Sequence, residues 1–452
     1  MIAQQPRYNT DIMVTAVIAL FGTVAGYGAY LSLDDPLGAY AVIYGLGFVA
    51  LTWKYPHMAL GIAMALAPFQ NDVSSGIGPF RMSMGEISVS IAFLVYILKW
   101  FMKSCEMRLG PYLSSILIYL AICMSSSLTN WSDSAMTSML QMILYFIVTP
   151  LVYANLVRRI ETMTICLYMY VCVCLFLAVV GLQAGTFYIF GLHKNGVGSS
   201  LAMGITICTE LYLVQKSRFN KGLMGAAVVV IVAGLIFSLS RGAWLGAIAG
   251  FFVVVGTRGK VKFMFQSLIV LVPMVVLFWN LLPEEKREYA SSFDISRQNI
   301  SARYQSIDFA RNTFEANPIF GVGVGLRKDF DATNVFWVTL AETGVQGLIS
   351  FAAIHVLCLV MIAKTQRFVR RTDPRFSILV LGGALLFAKV VHGIVDHYWS
   401  RGAILVAWAC CGMATCIYFN EQERLARLNI TIMKSKRLKS RARHVQPARA
   451  LR

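Results

Sequence analysis

Charge is what this chain has little of. Asp, Glu, Lys and Arg make up 14% of its 452 residues, 57% are hydrophobic, and the mean hydropathy is +0.65. Soluble domains carry about 25% charged residues, so the shortage excludes a string of soluble domains and points to a bilayer. Strict short-range alternation of polar and apolar positions is missing too, which excludes a membrane barrel, the other way to cross lipid. No Walker-type loop occurs. The GVGVG run at 321–325 has no strand or cofactor-binding unit around it and reads as a flexible turn. A disulfide framework is also lacking. Cys123, Cys166, Cys172, Cys174, Cys208, Cys358, Cys410, Cys411 and Cys416 fall inside apolar runs, and Cys105 lies in a basic connection. Cys410 and Cys411 point to different helix faces with no histidine beside them, so they read as packing residues. No metal and no cofactor are expected.

What is there is a succession of apolar runs of bilayer length. They predict an all-α integral membrane protein of about fourteen transmembrane helices, at 11–31, 37–53, 57–70, 85–101, 111–128, 137–156, 162–184, 199–215, 223–239, 243–257, 263–282, 337–363, 376–395 and 402–419. The first run, preceded by Arg7, reads as an uncleaved first span. With the N-terminus inside, the inside connections and tails hold 28 of the 40 Lys and Arg, including Lys54, Lys99, Arg158, Arg258 and Arg375, while the outside connections 32–36 and 129–136 hold none. This is the positive-inside pattern and gives N-in, C-in topology. The expected organisation is a bundle of spans 1–11 over 1–282, an external loop domain at 283–336, spans 12–14 over 337–419, and a basic cytoplasmic tail at 420–452. That tail can lie against anionic lipid. It lacks aromatics for stacking, so the net charge of +18 calls for no nucleic acid.

The large external segment, between spans 11 and 12, is the exception. Residues 301–317 place Ile300, Tyr304, Ile307, Ala310 and Phe314 near helical spacing, with Arg303, Asp308, Arg311 and Glu315 opposite. The pattern predicts an amphipathic helix on the bilayer surface, ended by Pro318 and carrying an Arg311–Glu315 pair. Arg297, Arg303, Arg311, Arg327 and Lys328 are external cations against the positive-inside trend. Arg241, in a turn too short to leave the membrane surface, and Lys194, beside His193, join them. An arginine at that depth calls for an anion, and its planar fork suits phosphate. The set therefore suggests a membrane-borne anionic substrate such as a lipid diphosphate. A last polar group, Lys389, His392, Asp396, His397, Tyr398, Trp399 and Arg401, reads either as a polar helix cap with an interfacial tryptophan or as an acid/base or sugar-contacting patch.

Three stretches in order carry a resemblance: SLSRGAWLG (238–246), ARYQSIDFARNTFEANPIFGVGVG (302–325) and NVFWVTLAETGVQGL (334–348). Together they resemble the O-antigen ligase and Wzy polymerase superfamily. The resemblance implies a GT-C-like, metal-independent, inverting glycosyltransferase of the bacterial inner membrane, with its active site facing the periplasm. Such an enzyme takes a glycan from undecaprenyl diphosphate. A ligase delivers it to lipid A-core; a polymerase delivers it to another lipid-linked repeat of O-antigen or exopolysaccharide. By motif position Arg241 and Arg303 correspond to the diphosphate-holding arginines, with Lys194, Arg311 and Arg327 as further candidates. Asn334, Asp396 and Arg401 are candidate acceptor or sugar contacts. Ligases of this family commonly show His-Asn where this chain has Thr333-Asn334, so the base is open among Asp329, Asp331, Glu342 and His397, and Glu342 has a structural alternative against backbone. The missing imidazole tilts the reading towards a polymerase, with a ligase as the alternative. A chain-length regulator or a flippase would be the partner. A lipid-linked-oligosaccharide flippase is the rival from another class, although the two related halves of such a transporter are not seen.

Overall fold

The computed structural model describes residues 36–70, 82–128, 130–291, 298–330, 332–399 and 401–445. The expected first span at 11–31, Arg7, Arg297 and Asp331 lie outside the described residues. Among those described there are helices and no strands. In chain order they are α1 (Pro36–Lys54), α2 (Pro56–Leu66), α3 (Met84–Phe101), α4 (Leu113–Ser127), α5 (Asp133–Ile143), a π turn (Leu144–Val148), α6 (Thr149–Leu156), α7 (Ile160–Ala184), α8 (Lys194–Val214), α9 (Arg218–Phe237), α10 (Arg241–Arg258) and α11 (Val261–Leu281). There follow α12 (Glu284–Ser291), α13 (Gln298–Ala316), α14 (Leu326–Asp329), α15 (Val335–Gln366), α16 (Pro374–Val395) and α17 (Arg401–Val445).

Each predicted span from 37–53 onward has a helix within a few residues of it. Among the described residues, nine helices are long and apolar enough to cross a membrane, and Pro56–Leu66 and Leu113–Ser127 are shorter apolar helices. The chain is a multi-pass membrane protein. Boundaries follow local chemistry. Ser83 and Glu86 form a reciprocal capping box at the start of α3, and Asp373 accepts the Arg375 N–H at the start of α16 (2.9 Å). The π turn has a cause in Pro150, which has no N–H to give and crowds the carbonyl four residues before it. Thr149 Oγ1 answers by donating to the Leu144 carbonyl at 2.8 Å.

Small residues set how closely the helices approach. Gly242, Gly246 and Gly250 form a stripe at i, i+4, i+8 along α10. A Cβ at Gly246 would stand 3.3 Å from the Ala388 carbonyl of α16, and one at Gly250 would overlap Thr206 Oγ1 of α8. The stripe lets α10 lie directly on both neighbours, as small residues do between helices in lipid. Below the polar end lies an aromatic core in which Phe146 and Trp408 have ring centroids 4.9 Å apart, and His355 Nε2 meets Tyr398 OH at 2.6 Å.

The two ends of the bundle are separated along α17. Arg401 opens the helix, and Glu421, twenty residues on, is about 30 Å away at 1.5 Å per residue. At that far end Glu421 receives Arg375 and Arg424, and Arg108 bonds Glu423 at 2.7 Å. Glu210, a charge inside an apolar run, is buried against Arg258, whose Nε donates to Oε1 at 3.0 Å.

Candidate active site

The segment before α15 is bolted to that helix by an exchange of backbone bonds. α15 is two helical pieces: Gly344 has φ 66° and ψ −169°, which breaks the ladder and strands the carbonyls ahead of it. The segment fills the gap. Val322 N–H donates to Ala341 O (2.9 Å), Gly323 N–H to Glu342 O (2.9 Å), and Val345 N–H to Pro318 O (2.9 Å). A side chain at Gly321 would overlap the backbone of Glu342 and Thr343, and one at Gly344 would overlap Ile319 O. The GVGVG run is thus a close-fitting strap, where its glycines alone predicted a flexible turn.

Glu342 secures the same joint. It is 1% exposed and accepts the Gly325 N–H (3.0 Å) and the Arg327 N–H (3.2 Å) on Oε1, while Arg327 Nη1 meets Oε2 at 3.2 Å. Arg327 also donates to Ser138 O (3.3 Å) and lies 4.2 Å from the Trp399 ring centroid. Helix α13 forms as predicted, with the Arg311–Glu315 pair at 2.8 Å. Its apolar side is turned on the protein: Ala310 is buried and Ile307 packs with Val338, Ala341 and Trp337. Part of the face predicted to meet the bilayer thus packs on α15, while Tyr304 of the same face stays exposed.

Above the aromatic core a cavity of about 500 Å³ opens, lined by Gln70, Gln141, His193, Asn195, Gly196, Arg327, Lys328, His392, Asp396, His397, Trp399 and Arg401. Six helices or their ends converge here. Lys389, fully buried in α16, donates to His392 Nδ1 (3.1 Å) and to His397 O (3.0 Å). The ammonium fixes Nδ1 as an acceptor, so the imidazole proton sits on Nε2, 3.7 Å from Asp396 Oδ2. Burial pushes the Asp396 carboxyl up. The neighbouring His392 and His397 rings and the Arg303 guanidinium outweigh it and hold the group well below the usual carboxylate range. Burial, then Lys194, pulls the His193 imidazole down, in keeping with its Nδ1 accepting the Asn195 N–H at 3.2 Å to cap α8.

Several predicted residues meet at this place. Arg303 Nη1 donates to Val395 O at 2.9 Å. Arg241 begins α10, and a Cβ on its neighbour Gly242 would stand 2.9 Å from Asp396 Cβ and 3.1 Å from His392 Cδ2. Arg303 and the first turn of α10, which Arg241 begins, therefore both border the Asp396 corner. Arg327, Asp396, His397 and Arg401 line the cavity itself, with His397 Nε2 3.9 Å from Asp396 Oδ1. Lys194 is the first residue of α8, next to lining His193 and Asn195. Arg311 lies apart, exposed and bonded to Glu315. Asn334 caps α15 through Phe336 N (3.0 Å) and Trp337 N (3.2 Å) and ties it to Ile394 O (2.8 Å). Asp329 ends the short helix α14.

Gln70 and Gln141 were missed by sequence reasoning. The signal for Gln141 was a carboxamide in an otherwise apolar stretch. The glycine stripe of α10, which brings Arg241 to Asp396, was also legible as a four-residue repeat. Among the described residues no group of three or more His, Cys, Asp or Glu is arranged to hold a metal ion.

Comparison with known proteins gives one family. Residues 226–352 match the family model described as Wzy_C, O-antigen ligase. All three motif stretches, the strap and the helix break at Gly344 fall inside that match. No curated protein matches the chain. Residues 226–352, which hold Arg241, Arg303 and the strap against Glu342, are similar to the O-antigen ligase and Wzy polymerase superfamily.

Proposed function

We propose that the protein is an inverting glycosyltransferase of the bacterial inner membrane that moves a glycan from undecaprenyl diphosphate to a sugar hydroxyl, working as a polymerase of surface polysaccharide. The family match supports a membrane glycosyltransferase of the ligase or polymerase type. The observation that carries the finer reading is that Arg303, bonded to Val395 O, and the start of α10, which carries Arg241, both approach Asp396, a lining residue of a polar cavity. The positive-inside count supports placing that cavity on the periplasmic side.

In this reading the donor diphosphate lies against Arg241 and Arg303. The acceptor oxygen attacks the anomeric carbon from the face opposite the diphosphate, the carbon–oxygen bond to phosphate breaks, and the electron pair leaves with the diphosphate. A single displacement inverts the anomeric centre. Guanidinium groups fixed in advance stabilise the charge that grows on the departing phosphate. The acceptor proton passes to His397, whose side chain is 43% exposed beside the Asp396 carboxylate, which steadies the imidazolium. Glu342 is spent on holding the strap.

The alternative acceptor is lipid A-core. Purified protein in lipid nanodiscs, given a labelled lipid-linked repeat and no other acceptor, should build longer chains. Silence until lipid A-core is added identifies a ligase, and silence with both overturns the transferase reading.

A further inference from the structure

The cavity holds a second set of donors, supplied by elements other than those that bring Arg241 and Arg303. Gln141 comes from α5, Lys328 from α14, Arg401 from the start of α17, and Gln70 from the chain just after α2. Lys328 Nζ donates to Gln141 Oε1 at 2.8 Å, which fixes the amide's orientation. Gln141 Nε2 is then a donor with no partner, on a side chain only 8% exposed. Gln70 Nε2 is a second buried donor without a partner. It is closed in by the cavity's own glycine, since a Cβ at Gly196 would stand 2.9 Å from it, and its backbone carbonyl accepts from Arg401 Nη1 at 3.3 Å. Buried donors left unpaired are costly and rare. Two of them beside a lysine and an arginine in one cavity form a pocket whose chemistry is completed by an acceptor of negative charge.

We propose that Gln141, Lys328, Arg401 and Gln70 form a second anion subsite, separate from the Arg241–Arg303 clamp, which takes an oxyanion carried by the acceptor. This rests on the transferase reading, because only a two-substrate reaction brings a second anionic group into the same cavity. The shared ligand chemistry is a phosphate or carboxylate oxygen. Its source is either the diphosphate of a second lipid-linked molecule or an acidic sugar within the glycan.

The test uses the full chain in detergent and two probes, inorganic pyrophosphate and D-glucuronate, titrated by calorimetry. Two pyrophosphate sites per chain are expected. Lys328→Ala, at an exposed position, should weaken one of them about tenfold or more, the scale of a lost charge-assisted hydrogen bond, and leave the other unchanged. Gln141→Glu, which puts a carboxylate at the same place, should do likewise, and Arg303→Ala should weaken only the other site. Displacement of pyrophosphate from the Lys328 site by glucuronate indicates an acidic sugar as the natural group; displacement failing while pyrophosphate still binds indicates a second diphosphate. A single site in the unmodified protein that Lys328→Ala leaves unchanged, or one weakened alike by Lys328→Ala and Arg303→Ala, overturns the subsite. A single site weakened by Lys328→Ala and not by Arg303→Ala counts against the diphosphate clamp and leaves the Lys328 subsite standing.

Discussion

Arg303 and Arg327 belong to the same external segment, and replacing each with alanine should separate chemistry from folding. Arg327 has a side chain 2% exposed, pairs with Glu342 and packs on Trp399. Removing it leaves a buried carboxylate without its guanidinium partner. An uncompensated buried charge costs about 3–5 kcal/mol, a large part of the ~5–15 kcal/mol that holds a typical domain together. Arg327→Ala should therefore unfold at a clearly lower temperature and be recovered in poor yield. Arg303 is half-buried and makes one bond to a carbonyl at 2.9 Å, worth about 1 kcal/mol net. Arg303→Ala should stay close to normal stability. Its transfer rate should nevertheless fall by about 10²–10³, the cost of losing one donor to a developing oxyanion. Tryptophan fluorescence melts in detergent give the first quantity, and turnover of a labelled lipid-linked repeat gives the second. Full turnover in Arg303→Ala refutes the diphosphate clamp. An unchanged melting temperature in Arg327→Ala refutes the argument from the buried pair.

Gly344→Ala should destabilise the fold by at least about 1–2 kcal/mol, the cost of a left-handed backbone for an L-residue, with a further penalty from Ile319 O. Limited proteolysis of the 283–334 segment reads this as faster cutting. Asp396 titrates below the free aspartate value of about 3.9. The unfolded chain therefore takes up its proton first in acid. The stabilising contribution is complete above about pH 4 and fades as pH falls below it, so the melting-temperature gap between the protein and Asp396→Asn should be constant from pH 5 to 8 and shrink in stronger acid. Transfer should continue in EDTA. Asp329-Phe330-Asp331 is a D-x-D triplet, a spacing that suits a divalent cation, so activity lost in EDTA and restored by magnesium would move the chemistry there.

Composition and apolar run length made the bundle legible, since each predicted run among the described residues has a helix at or close to it. The π turn before Pro150 and the break at Gly344 were not legible as such. Proline and glycine announce a disturbance, but its form depends on which donors neighbouring chain supplies. Arg241 stands out in the sequence because a cation at membrane depth is conspicuous, and Arg303 because it runs against the positive-inside trend. Gln70 and Gln141 carry no charge, and although Gln141 stands out as a carboxamide in an apolar stretch, only the folded arrangement reveals that both amide nitrogens lack a partner. Glu342 shows the limit from the other side: one acid among apolar neighbours looks reactive until its backbone donors are known.

The exchange of bonds between 318–323 and 341–345 also governs how this protein can be re-engineered. The strap replaces rungs that α15 lacks, so each supplies what the other is missing. Swapping the external segment alone between relatives would leave mismatched halves. A productive chimera must inherit the block from about 300 to 345 as one unit, and natural variation in sugar specificity should shuffle along that same seam.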